Sequence, residues 1–369
     1  MLTGPARLRF RNNLLGWFSQ FQRQLPWRQT KDPYRIWLSE IMLQQTRVAA
    51  AIPYYERFLE RFPDAQSLAE APQEEVLRLW SGLGYYSRAR NLQKAARQIV
   101  AQHGGVFPAT LEEALALPGI GSYTAAAILS IAYGQKLAVL DGNVARVLAR
   151  LSAMRGDLRG TTQWRELQRL ADSLLDPRRP GDWNQAMMEL GATLCAPRSP
   201  QCLLCPVNEA CEARRLGLAD VIPEKRKKRA TVEVHLAALV LVDAKGQTLL
   251  FPPPKPSADA KRHADVAALV SRLWHFPTIE VRDDPAAELR KHVGSSQAFE
   301  WPPRVRFIAL PRVRHAVTYR AITVLPFRVN VPRLPRAAGA KPVPLADLSS
   351  VPVSNLTRKV ADAALSATG

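Results

Sequence analysis

The sequence predicts an α + (α+β) protein: a helical region over residues 1–220, a basic linker over 221–230 and a smaller mixed α+β domain over 231–369. Three observations carry this. Before residue 220 apolar residues recur at helical spacing, as in Val144, Val147, Leu148 and Leu151. Pro223 and the run Lys225-Arg226-Lys227-Lys228-Arg229 then break the pattern with a solvated, charged stretch. Beyond Thr231 the period becomes two, in Val232, Val234 and Leu236 and later in Val305, Phe307, Ile322, Val324 and Phe327-Arg328-Val329, separated by proline clusters.

Composition narrows the function classes. With 47% hydrophobic and 22% charged residues, the 369-residue chain can bury real cores, which excludes wholesale disorder. Its longest apolar runs, such as Leu236 to Val242, fall far short of the roughly 20 residues a membrane helix needs. Met1 to Phe18 interleaves Arg7, Arg9 and Arg11 with apolar residues and holds no secretory core, so the expectation is a cytoplasmic protein, nucleoid-associated if bacterial. Lys and Arg number 51 against 32 acidic residues, a formal charge of +19. Such an excess favours a polyanionic partner, nucleic acid first, although a merely solubilising basic surface produces the same number.

In chain order, the first notable segment is Ile36-Trp37-Leu38-Ser39-Glu40-Ile41-Met42-Leu43-Gln44-Gln45-Thr46. On a helix, Glu40 shares a face with Ile36, Trp37 and Leu43, so desolvation would raise its pKa and let it deliver a proton near neutrality. Taken alone, an ordinary half-exposed helix glutamate fits as well. Thr110-Leu111-Glu112-Glu113 is a capping box opening a helix that ends near Pro118. Leu117-Pro118-Gly119-Ile120-Gly121 then makes a tight turn before a second helix from Ser122 to Ala132, a helix-hairpin-helix signal whose amides can approach a phosphate. Asp141 precedes the helix of Val144 to Leu151 and is first of all an N-cap; amide hydrogen bonds there would hold its carboxylate ionised.

All four cysteines lie in one stretch, Cys195-x6-Cys202-x2-Cys205-x5-Cys211, unlike a disulfide framework spread through a fold. One loop wrapping a 4Fe-4S cube fits this spacing. Structural zinc is the other reading, although its common pattern has two close pairs and only one C-x2-C is present. Pro252 to Asp265 and Pro332 to Pro344 read as loops, and a short terminal helix begins near Asn355.

Taken together, Glu40 in SEIMLQQT, GLGYYSRARNL from Gly82, LPGIGSYTAAAILS from Leu117, LDGNVARVLARL from Leu140 and the cysteine spacing resemble the adenine DNA glycosylases of the MutY type, over residues 10 to 220. The resemblance implies a base-excision enzyme that flips out adenine paired with 8-oxoguanine or guanine in duplex DNA and hydrolyses its glycosidic bond. It implies that Glu40 protonates the base and Asp141 stabilises the oxocarbenium ion, assisted by Tyr123 and Asn143. It assigns Arg28 to the pocket, Gln45, Leu83 and Tyr85 to filling or wedging the duplex, Gly119 and Gly121 to the DNA-binding hairpin, and Cys195, Cys202, Cys205 and Cys211 to a 4Fe-4S cluster. A monomer is expected, with no membrane partner. The endonuclease III-like relatives carry a Schiff-base lysine two residues after the hairpin glycine; that slot is Tyr123 here, which cannot form an imine, so a monofunctional enzyme is expected.

Leu273-Trp274-His275-Phe276-Pro277 resembles a segment of the family's Nudix-like C-terminal domain, which reads the oxidised guanine. No Glu-rich Nudix helix follows, so nucleotide hydrolysis there is not expected. Where the family often has a Phe-Ser-His turn, this chain has Val317-Thr318-Tyr319. The hydroxyl is kept while the aromatic wedge and the imidazole are lost.

Overall fold

The computed structural model describes residues 4–224, 230–252, 272–295 and 305–367. Up to Arg215 the secondary structure is helical: α1 Gly4–Phe21, α2 Pro33–Leu43, α3 Val48–Arg61, α4 Ala65–Glu70, α5 Gln73–Leu79, α6 Ser87–His103, α7 Leu111–Leu115, α8 Ser122–Tyr133, α9 Gly142–Leu151, α10 Thr161–Leu174, α11 Pro180–Ala192 and α12 Glu212–Arg215. The chain divides into two compact units, one of Met1–Glu70 with Asn91–Lys227 and one of Ala71–Arg90 with Lys228–Gly369. Residues 71–90, expected within the region 1–220, thus group with the C-terminal part. Of the expected linker, 225–229 lie outside the described residues, as does nearly all of the loop expected over 252–265.

In the first unit local signals set the helix ends. The Asp32 side chain caps α2 by accepting from the Tyr34 amide, with Pro33 in the first turn. Thr110 caps α7 as the capping box requires. The expected helix reaching Pro118 stops at Leu115, because Gly119 (φ 83) turns the chain left-handed; a Cβ there would also lie 2.9 Å from the Asn91 Cβ. The core gathers Phe10, Leu14 and Phe18 of α1, Val144, Val147 and Leu148 of α9, Leu167 of α10 and Trp183 and Met187 of α11. Removing any one of these large side chains would cost about 2–5 kcal/mol.

In the second unit the strands are β1 Val232–Asp243, β2 Gln247–Leu250, β3 Thr278–Glu280, β4 Ile308–Ala309, β5 Val313–Val317, β6 Arg320–Val331 and β7 Lys341–Pro344, with helices α13 Pro285–Ser295 and α14 Asn355–Ser366. The main sheet runs β3-β1-β6-β4 with β5 also on β6, and β1 and β6 pair in parallel from Val232↔Arg320 to Asp243↔Val331. Leu236 to Val242 is buried continuously instead of alternating. Each face of β1 has its own core: Val234, Leu236, Ala238, Val240 and Val242 meet Leu356 and Val360 of α14, whereas Ala237, Leu239 and Leu241 share the other core with Leu289 of α13. A strand covered on both faces loses its polar side.

Two strand expectations need correction. Val305 and Phe307 precede the strand, which falls at Ile308–Ala309. Lys341–Pro344, expected as loop, is an edge strand paired antiparallel with β2 (Thr248↔Val343, Leu249↔Pro342), a position where prolines are tolerated. Ser354 caps α14 through the Thr357 amide, matching the expected start.

Candidate active site

One cavity of about 200 Å³ in the first unit is lined by Arg28, Glu40, Tyr123, Asp141 and Asn143, all expected site residues, together with Arg23, Met188 and Glu189. They arrive on α2, α8, α9 and α11 and the turn around Trp27. Glu40 is buried in the last turns of α2, beside Ile36 and Trp37 as the helical spacing requires. Burial pushes its carboxyl up from 4.5 to about 7, reinforced by the Asp141 charge and opposed by the Tyr123 hydrogen bond and by Arg28. The ordinary half-exposed glutamate is thereby excluded.

Tyr123 sits in the first turn of α8, where Gly121 is the extended N-cap. Its Oη lies 2.8 Å from Glu40 Oε2 and 3.1 Å from Met188 Sδ. A phenol has one hydrogen to give. When Glu40 is ionised, Tyr123 donates to it; when Glu40 carries a proton, that proton can point at Oη while Tyr123 donates to the sulfur. Burial holds the phenol far above its usual range, so Tyr123 stays neutral and orients the carboxyl without taking its proton.

Asp141 is the N-cap of α9: Oδ1 accepts from the Val144 amide at 2.7 Å and Oδ2 from Asn143 Nδ2 at 3.2 Å. As expected, these bonds favour the ionised carboxylate, but they do not act alone. Burial is the larger effect and raises it, with the hydrogen bonds and Arg146 acting in the opposite sense. Asn143 is itself fixed. Arg146 Nη2 donates to Asn143 Oδ1 at 2.9 Å and to the Gly191 carbonyl at 2.7 Å, while its Nε donates to the Cys195 carbonyl. Gly191 must lack a side chain, since a Cβ would lie 2.8 Å from the Asn143 Cβ.

The sequence reading did not single out Glu189, Arg23, Met188 or Arg146. Glu189 is 1% exposed and accepts from Arg23 Nε and Nη2 at 2.7 and 2.6 Å and from Arg28 Nη2 at 2.7 Å. The arginines outweigh burial and hold its carboxylate down at about 2. Its signal is the same as Glu40's, a lone carboxylate in an apolar helix run, here Met187-Met188-Glu189-Leu190. The cavity thus juxtaposes a carboxyl inclined to hold its proton with a carboxylate locked ionised, plus a guanidinium.

Other expected site residues fall elsewhere. Gln45 does not line the cavity; it is exposed on the loop after α2 with left-handed φ 58. In the second unit Tyr85 is exposed and left-handed, while Leu83, expected as a wedge, is buried at 8% exposure within its own loop. Gly119 and Gly121 are exposed at the hairpin before α8. Val317 and Tyr319 are half-buried and Thr318 exposed, at the tip joining β5 to β6, where Thr318 adopts φ 56.

Cys195, Cys202, Cys205 and Cys211 line one small cavity with Arg150, whose Nη1 donates to Cys195 Sγ at 3.2 Å. Among the described residues no three His, Cys, Asp or Glu side chains converge on a single-ion position. Burial and the other three sulfurs push the Cys205 thiol up to about 12. Four cysteines lining one cavity form a donor set that fits a thiolate-bound metal centre.

The chain matches the family model described as "HhH-GPD superfamily base excision DNA repair protein" over residues 38–173. It is 35% identical to the adenine DNA glycosylase of Mus musculus, covering 95% of this chain and 77% of that one. The corresponding protein of Schizosaccharomyces pombe is 36% identical, with 74% and 69% covered. The human one is 51% identical over 215 residues, 56% of this chain and 39% of that one, so the chain spans well under half of that relative. Among solved structures, a thermostable thymine-DNA glycosylase aligns with TM-score 0.53 at 30% identity, covering 57% of this chain and 97% of that one. An endonuclease III trapped on DNA aligns with TM-score 0.51 at 22% identity, over 59% and 100%, a likeness of fold alone.

The fold, the family-model match and the relatives together define a helix-hairpin-helix base-excision repair protein. Within that class, the chain belongs to the adenine DNA glycosylase family.

Proposed function

We propose that the protein excises adenine paired with 8-oxoguanine or guanine from duplex DNA, leaving an abasic site and an uncut strand. The observation that carries this is Glu40, raised to about 7 and oriented by Tyr123, sharing one cavity with Asp141. A stacked adenine is unreachable, so the nucleotide turns out of the duplex into the cavity. Glu40 gives its proton to the adenine ring, which weakens the glycosidic bond. The glycosidic bond breaks and adenine leaves with that proton. Asp141, aligned by the Val144 amide and Asn143, stabilises the positive charge developing on the sugar, and water adds at the anomeric carbon, its proton passing to the Glu40 carboxylate. Arg28, held in place by Glu189, borders the same cavity and supplies a cationic donor for a ring nitrogen of the turned-out base. The slot two residues after Gly121 is Tyr123 and not lysine, so no imine forms there and the backbone stays intact.

The four cysteines hold a 4Fe-4S cluster in this reading, and it ties the loop after α11 into a fixed shape beside Arg146 and Arg150. The C-terminal α/β/α unit, with β1 and β6 at its centre, is a Nudix-like reader of the opposite base through Val317, Thr318 and Tyr319. The chain acts as a monomer on DNA in the cytoplasm; among the described residues no helix is long and apolar enough to cross a membrane. The test is an alkali-cleavage assay on duplexes carrying adenine opposite 8-oxoguanine or guanine. Wild type should create alkali-labile sites and Glu40→Gln should bind the same duplex without creating them; equal product from both would end the assignment.

A further inference from the structure

The segment between α5 and α6 holds Gly82-Leu83-Gly84-Tyr85-Tyr86, and it belongs to the same compact unit as the C-terminal sheet. Tyr85 is the exposed residue of this loop, 45% accessible, and its backbone is left-handed at φ 49. That conformation costs a non-glycine residue about 1 kcal/mol or more, which the surrounding structure must offset.

The fixing groups come from the chain's last elements. The Val353 carbonyl, just before α14, accepts from Ser81 Oγ at 2.9 Å and from the buried Tyr86 Oη at 3.1 Å, which uses both of its lone pairs. Tyr86 Oη in turn accepts from the Gly82 amide at 3.1 Å. Ser81 Oγ accepts from Arg358 Nη2 at 2.9 Å, and Asn355 Nδ2 donates to the Gly82 carbonyl at 3.4 Å. Donors and acceptors match throughout. Glu74 of α5 pairs with Lys341 of β7 at 2.7 Å. Inside the loop, Trp80 Nε1 and Arg88 Nη2 both donate to the Gly84 carbonyl, at 3.0 and 3.2 Å, and the Arg88 guanidinium lies over the Tyr85 ring.

We propose that Ser81, Tyr86, Arg358 and the Val353 carbonyl form a latch by which the C-terminal fold sets the conformation of the loop that presents Tyr85 to DNA. These are positioning residues. The inference rests on the function proposed above, since it supplies the DNA that Tyr85 meets. The C-terminal unit then has two tasks: its β5–β6 tip addresses the opposite base, and its α14 end keeps the wedge loop in a duplex-ready shape. Loss of that end loosens the loop even if the rest of the sheet folds.

The test uses the full chain with Tyr86→Phe and Arg358→Ala, and Asp362→Asn as a control on the exposed face of α14. Two readouts separate the latch from the enzyme. Amide hydrogen exchange over residues 82–86 should accelerate about tenfold in both variants, while the β1 amides and the control stay at wild-type rates. Affinity for a duplex carrying adenine opposite 8-oxoguanine should fall about tenfold, and base turn-out, followed with 2-aminopurine at the target position, should fall with it. The pH profile of excision should not move, because Glu40 and Asp141 are untouched. Unchanged exchange at 82–86 would overturn the latch. Loosened exchange with wild-type affinity and turn-out would overturn its role in positioning. A wild-type chain inactive on every adenine mismatch would instead sink the functional reading, with exchange alone deciding whether the latch exists.

Discussion

The protonation state of Glu40 can be tested in both rate and stability. With a pKa of about 7 the carboxyl is about half protonated at neutrality, whereas one left at 4.5 would be only about 0.3% protonated at pH 7. The neutral form is the acid, so single-turnover excision should hold below about pH 7 and fall roughly tenfold per unit above it. Neighbours set where that limb lies. Tyr123→Phe removes a bond that lowers the pKa and should move the limb to higher pH; Asp141→Asn removes a charge that raises it and should move the residual activity's limb lower. Stability follows with a definite sign. A carboxyl whose folded pKa lies above its unfolded value binds more protons when folded, so stability falls as pH rises between 4.5 and about 7. The loss reaches about 3 kcal/mol above that window. Glu40→Gln, permanently neutral, should escape it: urea unfolding should show the variant equal to wild type at pH 4 and more stable at pH 8, with excision down about 10²–10⁴-fold. A rate flat from pH 5 to 9, together with identical unfolding at pH 8, would show that the carboxyl is ordinary and refute the acid assignment.

Further outcomes are expected elsewhere. Glu189→Ala should leave Arg23 and Arg28 without their shared carboxylate and lower stability by about 3–5 kcal/mol in chemical denaturation; a loss under 1 kcal/mol would mean that the triad is slack. Arg146→Met strips the partner from Asn143 Oδ1, Gly191 and the Cys195 carbonyl, so excision at a pH where Glu40 is fully protonated should drop at least tenfold, and a wild-type rate would disconnect Arg146 from Asp141. Metal analysis should find about four irons and four sulfides per chain, lost in Cys205→Ser; one zinc per chain would favour the structural-zinc reading. Thr318→Gly should relieve the left-handed backbone at the β5–β6 tip and raise the unfolding free energy by about 1 kcal/mol, with discrimination between oxidised and normal guanine reduced; a destabilised variant would mean that the Thr318 side chain stabilises the tip more than its backbone costs.

Local signals in the sequence were enough to mark much of the site. The apolar neighbours of Glu40 at helical spacing, the cap position of Asp141, the glycine turn ahead of Tyr123 and the single cysteine-rich stretch all act within a few residues, where spacing and chemistry translate directly into geometry. The same local logic placed the start of α14 at Ser354 and Asn355. What lies beyond reach is decided between segments far apart. Tyr123 meets Glu40 across 83 residues and Arg28 meets Glu189 across 161, and only packing brings those helix ends to one cavity. Burial gave Asp141 a raised pKa although its cap chemistry argues for a lowered one, because desolvation depends on everything around the group. β7 exists because β2 offers it an edge, which its prolines conceal. Residues 71–90 read as helical and yet pack with the C-terminal fold, since periodicity states which face of a helix is apolar but not which partner will cover it.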